Sequence, residues 1–335
     1  MRANVVHIAT TSADGAPILR AFNAVVVDDA VAIHAAPAGE KMAGLGRQAV
    51  VSAEEVLGEI PSYFVDPERA CPATTYYESV QVHGRLEQVH DLDAKAKVLS
   101  ALMEKYQPDG GYEPITASHP HYAKMVKSLL IAQVPIDKVS AKQKLGQNRT
   151  PDELATIAVH LWNRGGPGDT LTIDRLREVN LAMPTPDFLR TAKGTTLVCA
   201  PDEADLAGVV ELLSPQYWNT AASEQEIRTA HRTSAAWVVA RDDRGKLIAT
   251  ARAVSDGAKL AWIADVAVDS LWQGKGVGRA VMRLLLEHPA VRDARHARLA
   301  TRDAQTFYER FGFELAGRAT KLTRFDEMVL VRTPN

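Results

Sequence analysis

A chain of 335 residues is longer than one hydrophobic core usually holds, so two domains are expected. Apolar residues make up 46% and charged residues 24%, ordinary for a globular protein, and a formal net charge of -2 excludes a general attraction to nucleic acid or an anionic membrane. Cys71 and Cys199 are too few and too far apart for a disulfide framework or a zinc site, and no apolar run is long enough to span a bilayer. Met1-Arg2-Ala3-Asn4 leads straight into a strand-like run without a signal peptide, so a reducing cytoplasm is the expected location.

The first stretch reads as β. Val5 to Thr10 is apolar and β-branched, Ser12-Ala13-Asp14-Gly15 is turn chemistry, and Ile18 to Val27 is a second run closed by Asp28-Asp29. Val31 to His34 predicts a third strand, Glu40 to Leu45 a helical turn and Ala49 to Ala53 a fourth strand. Glu54 to Pro72 reads as loop, and Thr74 to Leu86 as a long strand. The period then changes: Ala96, Leu99, Leu102 and Met103 give Leu92 to Tyr106 a helical spacing. A helix near Tyr122 to Leu129 and a strand from Ile131 to Val139 complete a β-rich, barrel-like first domain, residues 1–140.

Thr150 reads as the N-cap of a helix over Pro151 to Trp162, with proline at its first position. Arg164-Gly165-Gly166-Pro167-Gly168 breaks the chain before a second helix, Ile173 to Val179. Residues 141–194 therefore read as a helical extension and connector. From 195 to 335 strands and helices alternate, with strands near Thr196–Cys199, Ala235–Arg241, Lys246–Val254, Leu260–Val268 and Ala297–Ala300.

The sharpest signal is a strand ending Ala264-Asp265-Val266-Ala267-Val268, a short loop, and Gln273-Gly274-Lys275-Gly276-Val277-Gly278-Arg279 opening a helix. A pyrophosphate needs several backbone N–H donors at close range, and a helix start presents them with a favourable dipole. Bare glycines leave that approach open. It is not a P-loop, because Gly276 rather than Ser or Thr follows Lys275, nor a dinucleotide fingerprint, because Arg279 stands where Gly or Ala is needed. Further on, Tyr308-Glu309-Arg310-Phe311-Gly312-Phe313 closes a short helix.

Gln273, Gly276 and Gly278, followed in order by Tyr-x-x-x-Gly-Phe, resemble the GNAT superfamily of acyl-CoA-dependent N-acyltransferases over roughly the last two-fifths of the chain. The resemblance implies an α/β fold with a mixed central sheet and direct attack of an amine on the thioester of acetyl-CoA. Residues 273 to 279 would cradle the pyrophosphate, and Val266, Ala267 and Val268 would pair with the pantetheine arm, one N–H polarising the carbonyl. Tyr308, a phenol with a reference pKa of ~10, would return a proton to the leaving thiolate. Asp265 is a candidate for the acceptor side, as base or as a capping carboxylate; Glu224 and Glu226 are weaker candidates.

Three N-terminal stretches resemble the pyridoxamine 5'-phosphate oxidase-like split barrel, and within it nitroimidazole-resistance-type flavoproteins: His7-Ile8-Ala9-Thr10 with Asp14-Gly15-Ala16-Pro17, Ile33 to Lys41, and Tyr76 to Arg85. The resemblance implies FMN held at a homodimer interface. Lys41 would meet the phosphate, Arg20, Asn23 and His34 would line the ribityl or ring site, and Ser79 and Arg85 are further candidates. The sequence begins almost at the first barrel strand, without the helix that often precedes it in that family. The whole reads as an N-acetyltransferase for a small-molecule or protein amine, fused to an FMN-binding oxidoreductase-like domain. A flavin sensor and a flavinless dimerisation module are the alternatives.

Overall fold

The computed structural model describes residues 5–315 and 326–331, the latter as backbone. The chain divides into two compact units, Met1–Val56 with Tyr76–Lys144, and Leu57–Thr75 with Leu145–Asn335.

The first unit is built on β1 (Val5–Thr11), β2 (Pro17–Val27), β3 (Ala30–Ala35), β4 (Gln48–Ile60), β5 (Thr74–Arg85), β6 (Glu87–Gln88), α1 (Leu92–Tyr106), α2 (Ala123–Ser128), β7 (Leu130–Pro135) and β8 (Lys138–Lys144). The sheet order is β6-β7-β3-β2-β1-β4-β5-β8. Strand alternation sets which residues fill it: Val6 and Ile8 of β1 turn inward with Ala24, Ile33, Val51 and Val134, while Val5 and His7 turn out. Asp28 and Asp29 both adopt positive φ, 48° and 55°, the backbone that a two-residue hairpin between β2 and β3 demands. Gly84 lets β5 cross β7 and curl the sheet: a Cβ there would lie 2.8 Å from the carbonyl oxygen of Pro135. Helix α1 packs Ala96, Val98, Leu99 and Leu102 on Ala32, Val126 and Ile131. Its buried Lys95 donates to the carbonyl of Leu129 at 2.7 Å, so the charge sits where the dipole at the end of α2 favours it. The unit is a β-rich split barrel.

Two expectations change here. The stretch Glu54 to Ile60, read as loop, continues β4, and Ile131 to Val139, read as one strand, is two strands with a turn at Ile136 and Asp137. In both places the residues carry mixed polarity. Pairing with neighbours distant in sequence overrides local composition.

The second unit comprises α3 (Pro151–Arg164), α4 (Asp169–Val179), β9 (Thr195–Val198), α5 (Leu206–Leu213), α6 (Glu224–Arg232), β10 (Ala236–Asp242), β11 (Leu247–Ser255), β12 (Leu260–Val268), α7 (Val277–Glu287), β13 (His296–Thr301), α8 (Gln305–Glu309), β14 (Glu314–Leu315) and β15 (Asp326–Val331). Its sheet, β14-β15-β13-β12-β11-β10-β9, is mixed, because β12 and β13 run parallel while the other pairs are antiparallel. This is the α/β architecture of the GNAT fold.

Helix α3 starts as its sequence predicts. Thr150 and Glu153 form a reciprocal capping box, and Pro151 occupies the first turn. It ends at Gly165, whose φ of 63° is the left-handed cap conformation. Arg292 then donates to the carbonyls of Trp162 and Asn163 at 2.7 and 2.6 Å, satisfying the helix end. The Trp162 ring stacks on Phe188 at 4.4 Å and meets His288 edge-on at 5.7 Å. The segment 57–75 belongs to this unit through α3 and α4: Phe64 stacks on His160 at 4.7 Å, and Arg164 donates to the carbonyl of Glu59 at 2.8 Å.

Asp174 of α4 is buried, and its Oδ2 accepts from the backbone N–H groups of Cys199 and Ala200 at 2.9 and 2.8 Å. Its Oδ1 has no hydrogen-bond donor. Burial pushes its carboxyl up to about 6, against those two N–H groups and Arg177. His288 is buried too, and desolvation, with Arg292 nearby, holds its imidazole down at about 4. The raised Asp174 favours the folded state at low pH and loses that advantage as pH rises from about 4 to 6. The depressed His288 does the opposite, costing stability as pH falls from about 6.5 to 4. Between pH 4 and 6 the two slopes oppose. Asp174→Asn keeps an acceptor for the N–H groups and removes the desolvated charge. Urea melts are expected to show a gain of up to about 3 kcal/mol at neutral pH, with a steeper fall below pH 6 as His288 acts alone. A variant no more stable than the wild-type protein at neutral pH would show that Arg177 already compensates the charge.

Candidate functional site

The strand β12 carries one extra residue relative to β11. Thr250 pairs with Ala267 and Arg252 with Ala264, so two steps on β11 match three on β12. The bulge falls at Asp265, whose φ of 51° is left-handed, a conformation that Asp tolerates better than most residues. Side-chain bonds fix it. Arg252 Nε donates to Oδ2 at 2.6 Å, and Trp218 Nε1 and Asn219 Nδ2 donate to Oδ1 at 3.2 and 3.5 Å. The bulge turns the strand, and pairing with β13 is confined to Leu260, Ala261 and Trp262 against His296, Ala297 and Arg298. Beyond that point the two parallel strands splay.

At the end of β12 the chain turns through Ser270–Trp272 and reaches α7. The three glycines serve two purposes. Gly274 and Gly276 adopt φ of 73° and 88° with open space where a side chain would be, so the loop is shaped by backbone freedom and left bare. Gly278 lies against the strand: a Cβ there would stand 3.2 Å from Val268 Cγ2. The N–H groups of Val277, Gly278 and Arg279 form the first turn of α7, where no intrahelical acceptor exists. Gln273 ties the loop back through an Nε2 bond to the carbonyl of Val268 at 3.2 Å, Lys275 lies over the Trp272 ring at 5.0 Å, and Arg279 is exposed. The apolar face of α7, Val277, Val281, Leu284 and Leu285, is fully buried and holds the helix start in place.

A cavity of about 240 Å³ opens where β12 and β13 part. Ala264, Asp265 and Val266 line one side, and Thr301, Asp303 and Tyr308 the other. Helix α8 carries Tyr308 inward, packed edge-on against Phe307 and Phe313 at 5.1 and 6.1 Å. Gly312, with φ of 83°, reverses the chain after the helix so that Phe313 can reach the core. Burial pushes the Tyr308 phenol up to about 12, aided by Tyr217 and Asp303, so it stays protonated across the physiological range. Asp265 and Tyr308 thus meet at one cavity. Glu226 instead caps α6 with Ser223, whose backbone N–H holds its carboxyl below the usual range, and Glu224 pairs with Arg228. Neither lines the cavity.

In the first unit Arg20 and Lys41 line one small cavity of about 20 Å³ with Ile8, Phe22 and Leu45. Arg20 pairs with Glu40, Lys41 Nζ donates to the carbonyl of Ala38 at 2.5 Å, and Arg85 donates to the carbonyl of Gly46 in the neighbouring loop. Asn23, His34 and Ser79, on β2, β3 and β5, do not line this cavity. This cavity is far too small for a flavin ring. Arg20 and Lys41, both at this cavity, are cations of the kind a flavin phosphate would need. Among the described residues no group of three His, Cys, Asp or Glu side chains is placed to hold a metal, and no helix is long and apolar enough to cross a membrane.

Sequence reasoning missed four side chains of the second-unit site: Tyr217, Trp218 and Trp262, which line the cavity, and Arg252, which holds Asp265. Arg252 on β11 and the Tyr217-Trp218 pair in the α5–α6 connection reach the site only through tertiary folding.

The family described as pyridoxamine 5'-phosphate oxidase matches residues 1–143, and that described as acetyltransferase (GNAT) domain matches residues 233–315. Among solved structures, the chain is similar to the FAD and heme binding protein from Mycobacterium smegmatis, at 21% identity over 43% of this chain and 66% of that one, with a TM-score of 0.36. It is similar to the flavocytochrome Anf3 from Azotobacter vinelandii at 21% identity, over 42% of this chain and 62% of that one, with a TM-score of 0.36. The chain thus spans less than two thirds of either protein's length. It is also similar to a GNAT family N-acetyltransferase from Escherichia coli in complex with CoA, at 21% identity over 42% of this chain and 81% of that one, with a TM-score of 0.34. One chain therefore carries a pyridoxamine 5'-phosphate oxidase-like domain over residues 1–143 and a GNAT acetyltransferase domain over residues 233–315.

Proposed function

We propose that the chain is an acetyl-CoA-dependent N-acetyltransferase joined to a flavin-binding split barrel, with the barrel over 1–140, a helical connector over 141–194 and the transferase over 195–335, although the last barrel strand, β8, runs on to Lys144 and the connector helices belong to the second compact unit. The observation that carries the transferase reading is the bulged β12: it separates from β13 at a cavity containing Tyr308 and runs on into a bare helix start. The first-turn N–H groups of α7 bind the pyrophosphate, and Val266 to Val268 pair with the pantetheine arm. The amine nitrogen attacks the thioester carbon, a C–N bond forms, the C–S bond breaks, and Tyr308 returns a proton to sulfur. Asp265, already anchored by Arg252 and Trp218, acts as a fixed anion that attracts and orients the incoming ammonium before it gives up its proton to solvent. Calorimetry with acetyl-CoA and a thiol assay of CoA release with amines test this reading. A protein that binds no acetyl-CoA ends it.

For the barrel, FMN would lie with its phosphate at Arg20 and Lys41 and supply redox chemistry when bound. Its ring would need a second wall from another copy, because the cavity at Arg20 and Lys41 is too small to take it. One observation favours the flavinless dimerisation module as a second reading: Glu40 already pairs with Arg20. Light scattering with flavin content separates the two. A dimer holding FMN is expected, and Lys41→Glu should weaken the flavin by roughly tenfold or more. A monomer that retains stoichiometric FMN would refute the shared site, and a dimer that never takes up FMN would support the module.

A further inference from the structure

The cavity at Tyr308 has an unusual lining. Trp262, on β12, leaves 38% of its surface exposed there, and Trp218 leaves 37%. Tyr217 and Trp218 meet edge-on at 4.8 Å, and the bond from Trp218 Nε1 to Asp265 fixes the indole plane. The titratable acids of the lining are Asp265 and Asp303, and among the described residues no lysine or arginine lines it. Two guanidinium groups that contact lining residues are engaged. Arg252 is bonded to Asp265, while Arg302 lies 3.7 Å above the centre of the Tyr217 ring and 3.5 Å from Asp303. The cavity, about 240 Å³, has room for a small molecule.

These features select by chemistry. Indole and phenol faces bury a flat apolar body and attract an ammonium group through their π-systems. Asp265 and Asp303 favour that ammonium, and among the described residues no lysine or arginine of the lining invites a second anion. A carboxylate on the ligand would lose water and, among the described residues of the lining, meet no cation in return.

Resting on the transferase reading above, we infer that the acceptor is a small primary amine with an aromatic body and no carboxylate, an arylalkylamine, bound between Trp218 and Trp262 with its nitrogen towards Asp265. The transfer gives the N-acetylarylalkylamine and free CoA. The new C–N bond replaces the C–S bond, the proton lost by the amine passes to solvent, and the one gained by sulfur comes from Tyr308, which solvent then reprotonates.

The test uses the full chain with two matched pairs, tryptamine against tryptophan and 2-phenylethylamine against phenylalanine. Expected is a kcat/KM, from CoA release, at least about 100-fold higher for each amine than for its amino acid. Trp262→Ala should raise KM for tryptamine about tenfold or more while changing that for butylamine little. Equilibrium dialysis of labelled tryptamine and tryptophan, without acetyl-CoA, is scored separately. Preferential binding of tryptamine that Trp262→Ala abolishes supports the inference even if no acetyl transfer is seen, in which case the transferase reading alone falls. Acetylation of the amino acids as fast as of the amines, or dialysis showing that tryptamine does not bind, overturns it while leaving acetyl-CoA binding untouched.

Discussion

Tyr308→Phe is expected to lower kcat by ~10²–10⁴-fold, the usual range for loss of a general acid, while the dissociation constant of acetyl-CoA stays within about twofold. The ring survives the change, so its packing on Phe307 and Phe313 survives with it, and only the proton donor is lost. Burial holds the phenol at about 12, so the wild-type protein should lose no acid form of this residue as pH rises to about 10. The same burial raises the affinity of a departing thiolate for a proton, which keeps transfer from so weak an acid feasible. Stopped-flow measurement of the first turnover isolates this step from product release. A first turnover as fast as in the wild-type protein would reduce Tyr308 to a packing residue.

Gly276→Asp is expected to weaken acetyl-CoA by roughly 100-fold or more, from ~1–3 kcal/mol of backbone strain plus repulsion between the new carboxylate and the pyrophosphate. Gly276 has φ of 88°, so strain accompanies any side chain there. A control separates strain from site. Gly257, in the turn after β11, has φ of 71° and the same open surroundings, so Gly257→Asp carries similar strain far from the loop. Calorimetry should show the control binding acetyl-CoA normally. Equal losses in both variants would point to a general weakening of the fold, and an unchanged affinity in Gly276→Asp would remove the pyrophosphate from this loop.

What could be read in the sequence was what is local. The glycines from Gly274 to Gly278 and the Tyr308 to Phe313 run announce themselves because a helix start and a helix end are each made within a few residues. Helix α1 was legible to the residue, from Leu92 to Tyr106, because its apolar spacing is regular. The bulge at Asp265 was not, since a positive φ in an otherwise apolar strand leaves no mark on composition. Nor were the cavity walls, because Arg252, Trp218 and Asp265 are separated in sequence and meet only when β11, β12 and the α5–α6 connection assemble. The extension of β4 through Ile60 was hidden for a related reason: Glu54 and Glu55 look like loop residues until a long-range pairing partner is supplied.

The segment 57–75 has a consequence for how this molecule is made. Its contacts with His160, Arg164 and Gly168 belong to a body whose remaining residues all follow position 144. On a ribosome this stretch emerges long before the helices that receive it. It must wait, unsatisfied, while the intervening strands are synthesised. A gene cut between the two halves would separate these residues from their receptor, leaving Phe64 bare in one product and the His160 ring bare in the other. Two fragments produced together have a route to rejoin through this segment, which neither possesses when made alone.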